Sequence, residues 1–489
     1  MLTAGLVLGR EVQRGVQVTF SAGLSQIGTS NATGAAGTGG KSTTDDRQQA
    51  NPQTERPEMT FTVGTQDKSI FLRRESEARG YSRSFDVVFK AAKGSVMIDA
   101  DGREYIDFLA GCASLNYGHN DADMKRALID HIEQDGIAQG LDLFTTPKRA
   151  FMRSFERLVL EPRGLDYKVQ FTGPTGTNAV EAAMKLARKV TKRTNIIAFT
   201  NGYHGVTQGA LAATGNRKNR VGPEIVLTGV SRAAYDGYLG DGYDTADILE
   251  KMLSDPSSGL DEPAAILFEP IQGEGGLNVA GIEWMKKLAA IAKRHGALLI
   301  ADEIQTGCGR TGSFFAFEAA GIVPDLVTVS KSISGFGLPM ALLLIRPEHD
   351  IWRPAEHNGT FRGNNHAFVT ARVALEKFWF DGALMDQVAA KGRIVTERLE
   401  RIAELVPDAK LKGRGMMQGV DVGSGGLAEV ICRRAFADGL IIETSGPNHE
   451  VIKILAALTI PEEQLKRGFD ILENAVRVTM AARSRMAAA

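Results

Sequence analysis

The sequence predicts an α/β protein built on a mainly parallel sheet, followed by a smaller α+β unit. Three observations carry that expectation. Short apolar runs recur between positions 168 and 345, without the polar alternation of a half-exposed strand. Longer amphipathic stretches lie between them. Beyond about Phe378 this strand–helix rhythm loosens into strands set among longer helices.

The runs KVQFT (168–172), NIIAFT (195–200), AAILFEP (264–270), ALLIADEI (297–304), DLVTVS (325–330) and MALLLI (340–345) read as buried parallel strands, apolar on both faces. Between them, Ala179–Lys192 and Gly281–His295 carry helical periodicity. In the second, Trp284, Leu288, Ile291 and Ala292 share one face while Lys286, Lys287 and Lys293 solvate the other. Further on, QGVDV (418–422) and VIKILAAL (451–458) read as strands among helices at 386–405, 426–438 and 461–485. Near the start, VMIDADGREYIDFLAG reads as a strand, an Asp-Gly turn and a second strand, and residues 95–115 are expected to join the C-terminal unit.

The implied organisation is 67–115 as the first part of a small domain, 116–377 as a large domain and 378–489 as the rest of the small one. Residues 1–66 are expected to be disordered. From Gly28 to Asp67 the chain is dominated by Gly, Ser, Thr, Asn and Gln, which bury too little apolar area to offset their ordering entropy. Translation starting at Met59 is the alternative account of this extension.

Bulk properties narrow the function. The 489 residues are 43% hydrophobic and 24% charged, with 54 glycines and a net charge of −1. Nothing there draws the protein to nucleic acid or to an anionic membrane, so small-molecule substrates are expected. No run of about 18 apolar residues spans a bilayer. The three cysteines, Cys112, Cys308 and Cys432, are far apart and odd in number. They read as reduced thiols of a cytoplasmic protein, and no spacing suggests a metal site.

Four strand ends carry candidate chemistry. ALLIADEIQTGCGRTG brings a buried strand to Asp302, with Gln305 in the polar loop beyond, where ligands of open α/β sheets bind. Alone, such an acid more often caps the next element. VTVSKSISGFGLP ends a strand at Ser330 and presents Lys331. Lysine alone among side chains forms a Schiff base with an aldehyde cofactor and later returns as a free amine, although a lone lysine is usually a surface residue. In FTGPTGTNAVEAAMKLAR a strand ends at Thr172 and a loop leads into a helix near Asn178. Free N–H groups around Gly176 and Thr177, with threonine hydroxyls, would form a phosphate cradle. FTNGYHGVT delivers Tyr203 and His204 between two glycines, and the ring either stacks on a flat heterocycle or fills the loop. An imine-forming lysine, a carboxylate, a phosphate cradle and a stacking ring together match pyridoxal 5'-phosphate (PLP).

These motifs, with EPIQGEGG, resemble the class III (ω) PLP-dependent aminotransferases over roughly residues 70–480. YSRSF, FLAGCASLNYGHN, EPRGLDYKVQFTGPTGTNAVEAA, TNGYHGVTQGALAATGNRK, GTFRGNN and GLIIETSG resemble the group of diaminobutyrate–2-oxoglutarate transaminases of ectoine biosynthesis. The resemblance implies PLP fold type I, with a seven-stranded, mainly parallel sheet in the large domain and a smaller α+β domain. It implies that Lys331 holds the cofactor and shuttles a proton, Asp302 pairs with the pyridine nitrogen, and Gln305 contacts the ring hydroxyl. Tyr203 would stack on the ring beside His204, and Gly176 and Thr177 would hold the phosphate. Thr360 would reach the phosphate of a neighbouring subunit, in a homo-oligomer of at least two chains.

The resemblance also implies a gate in which Glu274, near Glu269, pairs with an arginine that later receives the α-carboxylate of glutamate. Here that position is Lys453, and lysine lacks the bidentate fork. Val206 stands where several relatives carry an arginine. Arg83 or Arg362 is expected to supply the missing guanidinium, or else both are ordinary surface or interface residues. The implied reaction passes the amino group of L-glutamate to L-aspartate 4-semialdehyde, giving L-2,4-diaminobutyrate and 2-oxoglutarate. Alternatives on the same fold are transaminases of ornithine or 4-aminobutyrate, a PLP aminomutase or decarboxylase, and a non-enzymatic PLP-binding scaffold.

Overall fold

The computed structural model describes residues 64–220 and 226–488. The expected disorder of 1–66 falls almost wholly outside the described residues. The chain divides into two compact units at Val88/Phe89. In the first, two short helices, Ser69–Arg74 and Tyr81–Ser84, are described, with Lys68 paired to Asp86 at 2.6 Å.

In the second unit a seven-stranded sheet runs in the order 168–171, 342–345, 326–329, 298–302, 263–268, 195–199, 230–233. The pairings among 326–329, 298–302, 263–268, 195–199 and 230–233 are all parallel. Leu342–Ile345 differs from expectation: it runs antiparallel to both neighbours. Its apolar content reports burial on two faces, and burial does not depend on strand direction. Val230–Ala233, at the sheet edge and only partly buried, carries Ser231 and Arg232, so its apolar signal is weak.

Alternating side chains split the core in two. Ile196, Ala198, Ile300, Leu326 and Leu343 pack with Val180, Ala183 and Ala187 of the helix Gly176–Thr191. Four buried alanines on that helix let it approach the sheet closely. Ile197, Phe199, Ile266, Phe268, Leu299, Val327 and Leu344 face the opposite way and meet Trp284, Leu288 and Ile291 of the helix Ile282–Arg294. Each such side chain, fully buried, contributes about 1.5–3 kcal/mol, so both faces are firmly held and the strand ends become fixed platforms.

Beyond this sheet, Lys410–Arg414, Met417–Asp421, Val451–Ile454 and Glu443–Ser445 form an antiparallel sheet. Another four-stranded sheet joins Phe89–Lys93, Val96–Asp99 and Glu104–Asp107 to Leu440–Ile441. Its last pairing, Leu440 with Ile106 and Ile441 with Asp107, ties the early strands to the C-terminal part of the chain. Arg310 is fully buried and binds the carbonyls of Met416 (3.1 Å) and Ala456 (2.5 Å) and the side chain of Asn116. No helix among the described residues is long and apolar enough to cross a membrane.

Candidate active site

The carboxyl ends of the parallel strands share one edge, because Phe268 lies beside Ala301 and Asp302 beside Thr328. Asp302 closes its strand and is buried. One of its oxygens meets His204 Nδ1 at 2.7 Å. The other accepts from Thr328 Oγ1 at 3.0 Å and from the Ile304 N–H at 3.1 Å. The carboxylate is therefore fixed in direction, and His204 stands behind it as an orienting group.

Lys331 follows the next strand with φ +47°, a left-handed conformation that costs a non-glycine residue about 1–3 kcal/mol. Such strain persists only where surrounding contacts impose it. Ser330 Oγ bonds the Met340 carbonyl at 2.9 Å and Ser332 Oγ bonds the Ala113 carbonyl at 2.7 Å, clamping both flanks.

The Tyr203 N–H donates to Glu269 Oε1 at 2.8 Å, and the Gly273 N–H donates to the other oxygen at 3.1 Å. Burial, helped by the nearby Asp302 charge, pushes the Glu269 carboxyl up to about 7. Burial also raises the Tyr203 phenol, with Glu274 adding to it, so that ring stays neutral.

The helix Gly176–Thr191 starts at the same edge, and no side chain caps its first turn. A Cβ on Gly176 would lie 2.9 Å from Ile304 Cδ1, and one on Gly205 only 2.3 Å from Thr177 Oγ1. Both places admit backbone alone. Thr177 Oγ1 contacts Thr207 Oγ1 at 2.6 Å, and Thr207 donates to Glu181 at 2.6 Å.

Gln305 Nε2 donates to Glu274 Oε1 at 3.0 Å, whereas Gln305 Oε1 is buried without a partner among the described residues. Glu274 Oε1 also receives Lys453 Nζ at 2.8 Å, and Glu443 Oε1 takes the same ammonium at 3.0 Å. Lys453 is completely buried, and its two carboxylates outweigh the burial cost and raise its pKa. Lys453, Coulombically the largest favourable influence, helped by Lys331 and by donated hydrogen bonds, outweighs burial at Glu274 and brings it down to about 2. Glu443, more enclosed, is held up by burial against the same ammonium.

The remaining sequence candidates have partners of their own. Arg83 belongs to the N-terminal unit, exposed and paired with Glu77. Arg362 bonds Asp142 and the His357 carbonyl, and its buried Nε has no partner among the described residues. Thr360 is exposed in a short turn, its carbonyl accepting from Gln139. Val206 is exposed. Sequence reasoning missed Thr207, Thr328 and Glu443. Only GLIIETSG drew notice to the last, and its meaning depends on pairing with Lys453 across a hairpin.

The family model for class III aminotransferases matches residues 77–476. The chain belongs to that family. Over 413 residues, 83% of this chain, it is 55% identical to a diaminobutyrate–2-oxoglutarate transaminase of Halomonas elongata and covers 98% of that protein. A relative of the same name from Vibrio parahaemolyticus is 52% identical, with 98% of its length covered and 84% of this chain. Among solved structures, an ornithine aminotransferase of Toxoplasma gondii superposes with a TM-score of 0.73 at 26% identity, covering 85% of this chain and 94% of its own.

As a class III aminotransferase the enzyme uses PLP, and its residues fit that group. A buried, rigid carboxylate faces the edge where Lys331 emerges. Backbone-only openings at Gly176 and Gly205 suit a phosphate, and the unpartnered Gln305 oxygen suits a ring hydroxyl.

Proposed function

We propose that this aminotransferase moves the amino group of L-glutamate to L-aspartate 4-semialdehyde, giving L-2,4-diaminobutyrate, a precursor of ectoine, and 2-oxoglutarate. The observation that carries the reading is the identity above one half, over nearly the full length of relatives that bear this activity in their names. PLP, when bound, supplies an aldehyde that takes up the amino group and a ring that accepts the electron pair left on carbon.

The chain's own residues do the rest. Lys331 removes and returns the proton at the carbon that bears the amine. Asp302, oriented by His204 and Thr328, keeps negative charge opposite the pyridine nitrogen. Tyr203 covers the ring, Gln305 Oε1 accepts from its hydroxyl, and Gly176 and Thr177 hold the phosphate. Glu269 fixes the Tyr203 loop through two backbone N–H groups. Arg362, with a buried and unpartnered Nε, is a candidate for the glutamate carboxylate, and Arg83 is the second candidate.

The enzyme works as at least a dimer, with Thr360 serving the neighbouring subunit's phosphate. Supporting this, the 139–144 and 360–364 segments are bonded to each other through Gln139, Gly140 and Arg362, and together expose Leu143, Phe144 and Phe361. An odd count of three cysteines, far apart in the sequence, suits a reducing cytoplasm.

An amino-acceptor panel with glutamate as donor tests the reaction. Aspartate semialdehyde is expected to be the best acceptor, with 2-oxoglutarate released in equal amount. No turnover with it, beside turnover of another ω-aldehyde, would replace the substrate and keep the chemistry.

A further inference from the structure

The strand Glu443–Ser445 runs antiparallel to Val451–Ile454, and its register sets Glu443 directly opposite Lys453. On the other flank Lys453 faces Gly419, where a Cβ would come within 2.4 Å of the Ile452 carbonyl. Backbone closes that side. The Lys453 ammonium turns to its two carboxylates, with Cys112 also close by.

Two carboxylates sharing one sheltered ammonium leave a surplus of one negative charge when all three are ionised, balanced from outside the trio by Lys331 and open to a cationic group of the substrate. The carboxylates are unequal. The Glu274 side chain is 32% exposed and that of Glu443 10%, so Glu274 is the one able to turn toward an incoming molecule. Lys331 attracts both, which places the cluster within reach of the reacting end of the site.

We propose that Glu443 determines specificity. By keeping Lys453 paired, it releases the Glu274 carboxylate to the α-ammonium of a 2-amino acid that reacts at its fourth carbon, while the α-carboxylate of that substrate meets Lys453. This inference rests on the proposed reaction and assigns the recognition of its amino-acid end. A zwitterion inserted in this way adds one charge of each sign, so every ion keeps a partner. A substrate that lacks the α-ammonium leaves Glu274 without one.

L-2,4-Diaminobutyrate and 4-aminobutyrate differ only in that α-amino group, and L-homoserine and 4-hydroxybutyrate repeat the contrast without a reactive amine at the far carbon. In the holoenzyme, calorimetry is expected to show L-homoserine binding at least tenfold tighter than 4-hydroxybutyrate. Glu443→Gln should reduce that preference below threefold, and Glu443→Asp should keep most of it. With 2-oxoglutarate as acceptor, the kcat/KM ratio of diaminobutyrate over 4-aminobutyrate should fall at least tenfold in Glu443→Gln. Equal binding of the two probes by the native enzyme overturns the inference even if no variant folds. Equal losses on both donors in Glu443→Gln overturn it too, since a purely structural role acts on both alike. Absence of any amino transfer from diaminobutyrate in the native enzyme overturns the proposed reaction itself, and is distinct from either result.

Discussion

Replacing Lys453 by methionine isolates how much of the fold depends on one buried ammonium. Methionine fills a similar volume beside Gly419 but leaves Glu274 and Glu443 facing each other without their shared cation. Removing one partner from a buried ion pair costs about 3–5 kcal/mol, because the remaining charge stays desolvated. Pairing Lys453→Met with Glu443→Gln removes the more enclosed carboxylate as well. It leaves only Glu274, which is partly exposed and still bonded to Gln305 at 3.0 Å. More than half of the loss, about 2 kcal/mol or more, should then return. Urea unfolding with saturating cofactor should order the midpoints as native, then double variant, then Lys453→Met. If the double variant is instead as unstable as the sum of the two single changes, the two residues act independently and the shared-ammonium account fails.

Three further outcomes are expected. Glu274 has a folded pKa of about 2, below its usual value, so it stabilises the native enzyme above about pH 5, and that contribution is lost as the pH falls toward 2. Lys453→Met should flatten this acid limb, and thermal melts from pH 7 to pH 3 that stay parallel for the two proteins would contradict the ion pair. Gly205→Ala puts a Cβ 2.3 Å from Thr177 Oγ1 at a φ of +121°, and should weaken cofactor binding at least tenfold by equilibrium dialysis. A change under twofold would remove Thr177 from the phosphate site. Alanine at both Arg83 and Arg362 should raise the KM for glutamate by about tenfold, the worth of a charged hydrogen bond. A KM within a factor of two leaves both arginines with purely local pairings.

The parts legible in the sequence share a physical cause. Five of the six strand runs named in the sheet are parallel to one another because a strand covered on both faces must be apolar throughout, and a polar residue at its end marks the edge. Asp302 and Lys331 were visible for that reason. Strand direction was not, since Leu342–Ile345 is equally buried running the other way. Val230–Ala233 escaped because an edge strand needs little apolar character. Glu443 escaped for a different reason: its partner is set by hairpin register, and ten residues separate the two along the chain. The bond from His204 Nδ1 to Asp302 is likewise invisible locally, because it joins residues 98 positions apart. Charge type alone singles out the arginines; Arg83 pairs with Glu77 only 6 positions away, whereas the pairing of Arg362 with Asp142, 220 positions away, is a tertiary fact no local pattern records.

Arg310 sets a schedule for the newborn protein. Its guanidinium pairs with Asn116, made 194 residues earlier, and waits for the carbonyls of Met416 and Ala456, which follow by 106 and 146 residues. Until position 456 has left the ribosome, the Arg310 guanidinium lacks its last acceptor and cannot be buried with all its bonds made. Chains are made from the N-terminus and ordered as they emerge, and contacts this distant in sequence close late. Chains released before that point should turn over rapidly, since Arg310 then lacks the carbonyls of Met416 and Ala456 that complete its pairing, with no other basis for burying its charge.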